Sequence, residues 1–180
     1  MTETTRAPRK DQLRNRRKLL DAARVAFTEQ GADVGIEAIA RRAGVGATTF
    51  YRHFPTKEAI VEQLLGELTE GAREVADRAA AMSDDRQAFT TVFTEGCVLD
   101  PADLRLFDIL CRTGTAAAEQ GRRATVDLIA PVVHRAQRAG LLRDEVTVDD
   151  IAAFMRMADS ADTLEQRRLT HTVLLAGLAP

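Results

Sequence analysis

Hydrogen-bond donors and aromatic rings cluster in residues 48–59, TTFYRHFPTKEA. This stretch holds the single tyrosine of the chain, Tyr51, beside Arg52 and His53, and Lys57 follows four residues after His53. Hydroxyl, imidazole, guanidinium and ammonium groups all donate hydrogen bonds, so such a set suits phosphate oxygens and the edges of bases. The alternatives are that Tyr51 and His53 are ordinary core or capping residues and that Arg52 is a solvated charge.

Side chains that could support catalysis are scattered along the chain. Serine occurs only at Ser83 and Ser160, and neither lies in the setting of a nucleophile. The histidines His53, His134 and His171 show no HExxH or other ligand spacing. We therefore predict that the protein is not an enzyme and has no catalytic residues, no metal site and no cofactor.

The two cysteines leave one enzymatic alternative open. Cys97 and Cys111 lack a CxxC spacing and lie in helical patterns, which favours buried reduced thiols over a disulfide or a metal pair. Either thiol could form a reactive pair with His134 if the fold joined them. A third class of function, a helical carrier of small molecules that binds no nucleic acid, is also compatible with the composition.

Charge is distributed unevenly along the chain. Residues 1–57 hold 12 Lys and Arg against 6 Asp and Glu, a net charge of +6, whereas residues 58–180 hold 13 against 21, a net charge of −8. A basic head fits phosphate binding, and an acidic body limits indiscriminate adhesion to nucleic acid. A merely solvated basic tail would give the same balance.

The composition indicates an all-α protein. Apolar residues make up 45% of the 180 residues, which is enough for a core, and few β-branched runs occur. No apolar run approaches the roughly 20 residues of a membrane span. The N-terminal residues MTETTRAPRKDQLRNRRK lack the apolar stretch of a signal peptide. We expect a cytoplasmic protein.

Apolar spacing and turn residues predict the elements of the head. An apolar stripe from Asp11 to Gln30 predicts a first helix that stops at Gly31. A short helix over 36–43 ends at Gly44, and another begins near Gly46 and closes before Pro55. Two short helices with a glycine turn form a helix-turn-helix pattern at about residues 36–53.

The remaining pattern predicts about six more helices. Thr56 caps a long helix that runs to about Ala80 and bridges head and body. Further helices are expected near 86–98, 102–113, 117–139, 148–158 and 164–177. Pro131 lies inside the third of these, so we expect a kink or a split there.

Three blocks of the head, AARVAFTEQG, IARRAGV and TFYRHFPTKE, resemble in order and separation the DNA-binding domain of the TetR family of transcriptional regulators. Residues 134–155, HRAQRAGLLRDEVTVDDIAAFM, are similar to the C-terminal domain of SbtR-like members. The resemblance implies a DNA-binding domain over 1–57 and a ligand-binding and dimerisation domain over 58–180. It implies a homodimeric regulator of transcription, most often a repressor that binds a palindromic operator and is released by a small apolar effector.

In the head, the resemblance makes Ala47–His53 a recognition helix. Its base-facing residues would be Ala47, Thr48, Thr49 and Arg52, with Arg52 suited to guanine and the methyl groups to thymine. Phosphates would be contacted by Tyr51, His53 and Lys57. A basic arm can also follow the phosphates or enter the minor groove, or make no contact; its members are Arg6, Arg9, Lys10, Arg14 and Arg16.

In the body, the resemblance implies two apolar surfaces. The last two helices would pack against their copies in a second subunit, with an intramolecular core as the alternative; the interface candidates are Ile151, Phe154, Met155, Leu169, Val173 and Leu174. The middle helices would enclose an effector; the pocket candidates are Phe89, Phe93, Cys97, Phe107, Cys111, Val133 and His134. The sequence places His134 in an apolar neighbourhood, where a core histidine and a ligand contact are both possible.

Overall fold

A computed structural model describes residues 7–96, 99–161 and 163–180 of the chain. Within these ranges the fold is all-α, with nine helices and no strand. The helices are α1 Ala7–Gln30, α2 Ile36–Arg42, α3 Ala47–His53, α4 Lys57–Ala80, α5 Asp85–Glu95, α6 Pro101–Cys111, α7 Ala116–Arg138, α8 Val148–Asp159 and α9 Leu164–Leu178. The fold class and the order of the helices predicted from the sequence are therefore confirmed.

The chain divides into two compact units. The first takes the described part of Met1–Gly66 together with Arg105–Glu119, and the second takes the described part of Glu67–Leu104 and Gln120–Pro180. The first unit therefore contains the whole of α1, α2 and α3.

The first unit is built on the apolar faces of α1 and the two short helices that follow it. Leu19, Ala23 and Phe27 of α1 are fully buried, and α1 packs against α2, which packs against α3. These three residues recur every four residues along one face of α1, as the apolar stripe predicts. α1 ends where Gly31 adopts a positive φ of 81°, a conformation that glycine adopts without strain.

The second unit has a separate apolar core, in which α5 packs against α8 and α9. Side-chain caps define the starts of its helices: Asp84 accepts hydrogen bonds from two amides of α5, and Thr147 forms a capping box with Asp150 at α8. Arg135 of α7 donates to the Asp85 carboxylate and to the Ala80 and Met82 carbonyls. This arginine ties α7 to the end of α4 and the start of α5.

Two details differ from the sequence-based expectations. α1 begins at Ala7, four residues before the expected start, so the described part of the supposed basic arm is helical. α7 continues through Pro131 as one helix, so the alternative of a split at that proline is wrong.

None of the helices in the described residues is long and apolar enough to cross a bilayer. Within the same ranges, no group of three or more His, Cys, Asp and Glu side chains is placed to hold a metal ion.

Candidate nucleic-acid interface

The turn between α2 and α3 fixes the angle at which α3 leaves the core. Gly44 has a φ of 69°, and its N–H donates to the Arg41 carbonyl, while the Val45 N–H donates to the Ala40 carbonyl. These two bonds form a Schellman motif, which satisfies carbonyls that the end of α2 leaves without partners. A side chain at position 44 would strain the left-handed backbone, so the turn depends on glycine.

α3 has one buried face and one exposed polar face. Phe50 is fully buried, and its ring lies 6.0 Å from that of Phe54, which is also buried. Thr48 and Arg52 are exposed, and Tyr51 remains 48% exposed although its ring packs edge-on against Phe50. Because residues 48, 51 and 52 follow one another around a helix at i, i+3 and i+4, their donors share one side of α3.

The remaining predicted residues of α3 border this exposed face. Ala47 is exposed, and Thr49 and His53 are half-buried. The pKa of His53 is lowered, first by burial of the ring and then by the neighbouring charges of Arg52 and Arg16. His53 therefore carries a neutral imidazole at neutral pH, and it can donate one hydrogen bond to a phosphate but adds no charge.

Lys57 stands at the first position of α4 and already has a partner within the protein. Its Nζ donates to the Ala32 carbonyl at 2.7 Å and lies 5.6 Å from the centre of the Phe27 ring. The ammonium group thus links the start of α4 to the loop after α1. Two of its three N–H groups remain for other acceptors.

Arg16 has a role that the sequence analysis missed. One terminal nitrogen donates to the His53 carbonyl at 3.3 Å and the other to Gln63 Oε1 at 2.7 Å, while the guanidinium lies 4.5 Å from the centre of the Phe54 ring. Arg16 therefore joins α1, the end of α3 and α4. A signal was present in the sequence: Arg16 precedes Leu19, Leu20 and Ala23 at i+3, i+4 and i+7, which puts it on the buried face of α1.

An open groove of about 480 Å³ lies beside these contacts in the first unit. Its lining residues are Arg16, His53, Phe54, Ala59, Glu62, Gln63 and Gly66.

The other basic residues of the head differ in their partners. Arg42 forms an ion pair with Glu29, and Arg14 pairs with Asp11 at 2.9 Å. Arg41 and Arg52 are exposed. Arg6 lies outside the described residues. The positive charge of the head is therefore partly used within the protein, and exposed cations remain on α1, α2 and α3, namely Lys18, Arg41 and Arg52.

Comparisons with known proteins agree with this geometry. Residues 19–64 match the family model described as bacterial regulatory proteins, tetR family. A TetR transcription regulatory protein from Mycobacterium vanbaalenii is 31% identical over 96% of this chain and 99% of its own, with a TM-score of 0.55. The chain belongs to the TetR family of transcriptional regulators.

Two less similar regulators share the fold of the chain. One is NalD of Pseudomonas aeruginosa, the secondary repressor of the MexAB-OprM multidrug efflux pump. It is 20% identical over 94% of this chain and 98% of its own, with a TM-score of 0.74. FadR of Bacillus subtilis, solved in complex with stearoyl-CoA, is 15% identical over 89% of this chain and 98% of its own, with a TM-score of 0.67. No curated protein matches the chain significantly.

The predicted effector-pocket residues of this TetR-family protein that the structure describes are divided between the two compact units. Phe89, Phe93 and Val133 are buried together in the core of the second unit. Phe107 is buried and Cys111 half-buried in the first unit. Cys97 lies outside the described residues.

The surroundings of His134 differ from those that the sequence predicts. It is exposed on α7, so the apolar neighbourhood expected for it is not found. The helical period explains this, because Ile129, Val132, Val133 and Ala136 form the buried face and position 134 points away from it.

The predicted interface residues of α8 and α9 also divide by burial. Ile151 and Met155 are buried in the core of their own unit, as the intramolecular alternative requires, and Phe154 and Leu174 are half-buried. Leu169 and Val173 of α9, at i and i+4, are 63% and 61% exposed. An apolar surface is therefore present on α9, but only part of the predicted set belongs to it.

Proposed function

We propose that this TetR-family protein is a homodimeric, ligand-responsive repressor that reads an inverted-repeat operator with α3. The observation that carries the proposal is the division of α3 into two faces: Phe50 anchors the helix in the core, while Thr48, Tyr51 and Arg52 present donors to the outside. A helix anchored in this way can enter the major groove without losing its packing.

We assign the residues of the surface to two roles. Ala47, Thr48, Thr49 and Arg52 read bases: the guanidinium is suited to a bidentate contact with guanine O6 and N7, and the methyl groups to contacts with thymine. Tyr51, His53 and Lys57 contact phosphates, which fixes the register of α3 on the duplex. Exposure of Tyr51 and Arg52 supports these roles, and the two unused N–H groups of Lys57 permit its role.

The exposed apolar side chains of α9 support dimerisation. Leu169 and Val173 lie on one face of the helix, and an exposed apolar surface on a helix commonly marks an association site. A two-fold dimer presents two recognition helices to successive faces of the major groove, so its operator is an inverted repeat. The half-sites should lie about one helical turn, or somewhat more, apart.

The effector proposed for this chain is largely apolar. Phe89, Phe93 and Val133, the candidates in the second unit, are buried apolar side chains, and a site among them would favour a ligand with little charge. Complex formation of FadR with stearoyl-CoA and repression by NalD are analogies at the level of the fold.

We also assign residues 134–155 to the SbtR-like pattern. The DNA-binding domain is assigned to residues 1–57, and the ligand-binding and dimerisation domain to residues 58–180.

Selection of genomic fragments by the purified protein tests the proposal. Footprinting of the selected fragments should protect two inverted half-sites, and affinity should fall steeply with salt because phosphates are contacted. Equal binding to all fragments, or none at low salt, would contradict sequence-specific regulation.

The ligand response is tested on the selected operator complex. Titration with apolar metabolites and drugs should identify a compound that releases the DNA. A coupling of about 1 to 3 kcal/mol corresponds to roughly 5- to 150-fold weaker operator binding, and the operator must weaken the ligand by the same factor. A compound that binds the protein tightly but leaves operator affinity unchanged would show that the two sites are not coupled.

A further inference from the structure

The last turn of α3 is held by a side chain from another helix. α3 has only seven residues, and its N-cap Gly46 provides no side-chain hydrogen bond. At its other end the backbone turns to an extended conformation at Phe54, and the His53 carbonyl accepts a hydrogen bond from Arg16. The last carbonyls of a helix lack partners within it, and a cation there also stabilises the helix dipole.

Arg16 is fixed on three sides by these contacts. Its guanidinium covers the Phe54 ring at 4.5 Å, and its second terminal nitrogen donates to Gln63 of α4 at 2.7 Å. The planar group of arginine allows stacking and two directed hydrogen bonds at once, which the ammonium group of lysine does not. The rotation of the last turn of α3 is thereby tied to both α1 and α4.

We propose that Arg16 is a positioning residue for base recognition, which sets the orientation of Arg52 on the recognition helix by holding the C-terminal end of α3 against α1 and α4. The inference rests on the proposed DNA-binding function and deepens it. Arg52 precedes His53 directly, so a shift of the last turn moves Arg52 more than Thr48 at the start of the helix. Bidentate recognition of guanine requires fixed direction as well as proximity.

The neighbours of Arg16 on α1 show that this arrangement is specific to its position. Arg17 is largely exposed and pairs with Asp21 one turn along the same helix at 3.1 Å, and Lys18 is exposed. Arg16 instead lies on the buried face of α1, in register with Leu19 and Ala23. Its donors are directed to the protein, which distinguishes it from the phosphate-binding arm that the sequence suggests.

Four variants separate positioning from a phosphate contact. Arg16→Gln removes the charge and the stacking, Arg16→Lys keeps the charge but not the planar group, and Gln63→Leu removes one acceptor while Arg16 remains. Arg17→Gln is the matched control, because it removes an adjacent exposed charge. Each protein is titrated with the operator selected by the wild-type protein and with operators carrying single-base changes, at several salt concentrations.

Positioning predicts a loss of discrimination at the base read by Arg52. A bidentate contact discriminates between bases by roughly 5- to 150-fold. Arg16→Gln, Arg16→Lys and Gln63→Leu should lose most of this factor, with less change at the bases read by Thr48 and no change in the salt slope. Arg17→Gln should retain the discrimination of the wild-type protein at the base read by Arg52. If Arg16→Gln lowers the salt slope by about one and leaves discrimination intact, Arg16 is a phosphate contact and the proposal is wrong.

Two measurements without DNA examine the contacts of Arg16 independently of the proposed DNA-binding function. The Phe54 N–H, which donates to the Phe50 carbonyl at 2.8 Å, should exchange with solvent faster in Arg16→Gln than in Arg17→Gln. The pKa of His53, followed by NMR, should rise in Arg16→Gln because a neighbouring positive charge is lost. If the wild-type protein selects no DNA sequence, the proposed function fails, and unchanged exchange at Phe54 would independently overturn the positioning role.

Discussion

Helices α3 and α9 each expose one face, but the chemistry of the two faces is opposite. α3 presents Tyr51 and Arg52, whose polar groups remain hydrated until a polar partner replaces the water. α9 presents Leu169 and Val173, more than 60% exposed, whose contact with water is unfavourable at all times. From this difference we expect a transient, salt-sensitive partner for α3 and a lasting apolar partner for α9.

Both helices are supported from within the protein, although by different residues. α3 is held by Phe50 in the core and by Arg16 at its end, so its exposed face can be used without reorganising the helix. α9 is anchored by Leu178 and His171, which are buried in its own unit. Both exposed faces are therefore presented by helices whose other face is already packed, and single substitutions on them should change binding rather than folding.

The largest expected effect follows a charge placed on the apolar face of α9. Val173→Glu should weaken dimerisation by roughly 3 to 5 kcal/mol, because association would bury an unpaired carboxylate. The variant should be a folded monomer that binds a half-site and loses affinity for the inverted repeat. Sedimentation velocity over a range of protein concentrations measures the association, and circular dichroism checks the fold.

Thr90→Glu is the matched control for this variant, since residue 90 is exposed on α5 of the same unit. It should leave the oligomeric state unchanged. A dimer of undiminished stability in Val173→Glu would mean that the exposed face of α9 is not the interface.

A smaller effect, about 1 to 3 kcal/mol on the best operator, is expected for Arg52→Ala. Arg52 is exposed on α3, so its removal should leave stability nearly unchanged while preference at one base position is lost. Repeating the selection with the variant measures this directly. An identical consensus from Arg52→Ala and the wild-type protein would exclude a base-reading role for this arginine.

Lys57→Ala should have two effects of about 1 kcal/mol or less each. Loss of a phosphate contact should weaken binding to all sequences alike and reduce the salt slope by about one. Loss of the bond to the Ala32 carbonyl should lower the free energy of unfolding, by less than a fully buried charged hydrogen bond because Lys57 is half-buried. Lower stability with an unchanged salt slope would leave Lys57 only the role of linking α4 to the loop.

The sequence predicts the helices well because their signals are local. Gly31, Gly44 and Gly140 mark helix ends, and each has the positive φ that such ends favour. The partners of the basic residues depend on contacts distant in the chain: Lys57 bonds to Ala32, 25 residues away, and Arg16 to Gln63, 47 residues away. Charge alone therefore assigns these cations to phosphates, and only the fold shows which of their donors are already used.

The apolar pattern of a single helix likewise does not predict which residues of α8 and α9 are buried within the unit. The apolar stripes contain both Ile151, which is buried within the unit, and Val173, which is exposed. A period of 3.6 residues identifies an apolar face, but it does not show whether that face meets the same chain or another one. The interface therefore stays a prediction whose exposed members are now defined.

The smallest predicted effect concerns the pH dependence of the second unit. His171 of α9 is 6% exposed, and its Nε2 has no hydrogen-bond partner among the described residues. Asp159 of α8 lies 4.0 Å from it and Arg167 of α9 lies beside the same carboxylate, while α5 contributes the uncharged ring of Phe93. Burial, the largest influence, lowers the pKa of His171; the Asp159 charge opposes this and the Arg167 charge adds to it.

Since the ordinary pKa of histidine in an unfolded chain is 6.5, the unfolded protein takes up the proton first as the pH falls. The contribution that neutral, buried His171 makes to the free energy of unfolding is therefore complete above about pH 6.5. This contribution is lost as the pH falls through the lower folded-state pKa of His171. His53 of the first unit, whose pKa is also lowered, contributes with the same sign to the stability of that unit. Urea unfolding at several pH values between about 7.5 and 5.5 should thus show a shallower loss of stability in His171→Gln than in the wild-type protein. His134→Gln, an exposed control, should keep the wild-type slope. Equal slopes in all three proteins would mean that burial of His171 does not control the pH dependence of this unit.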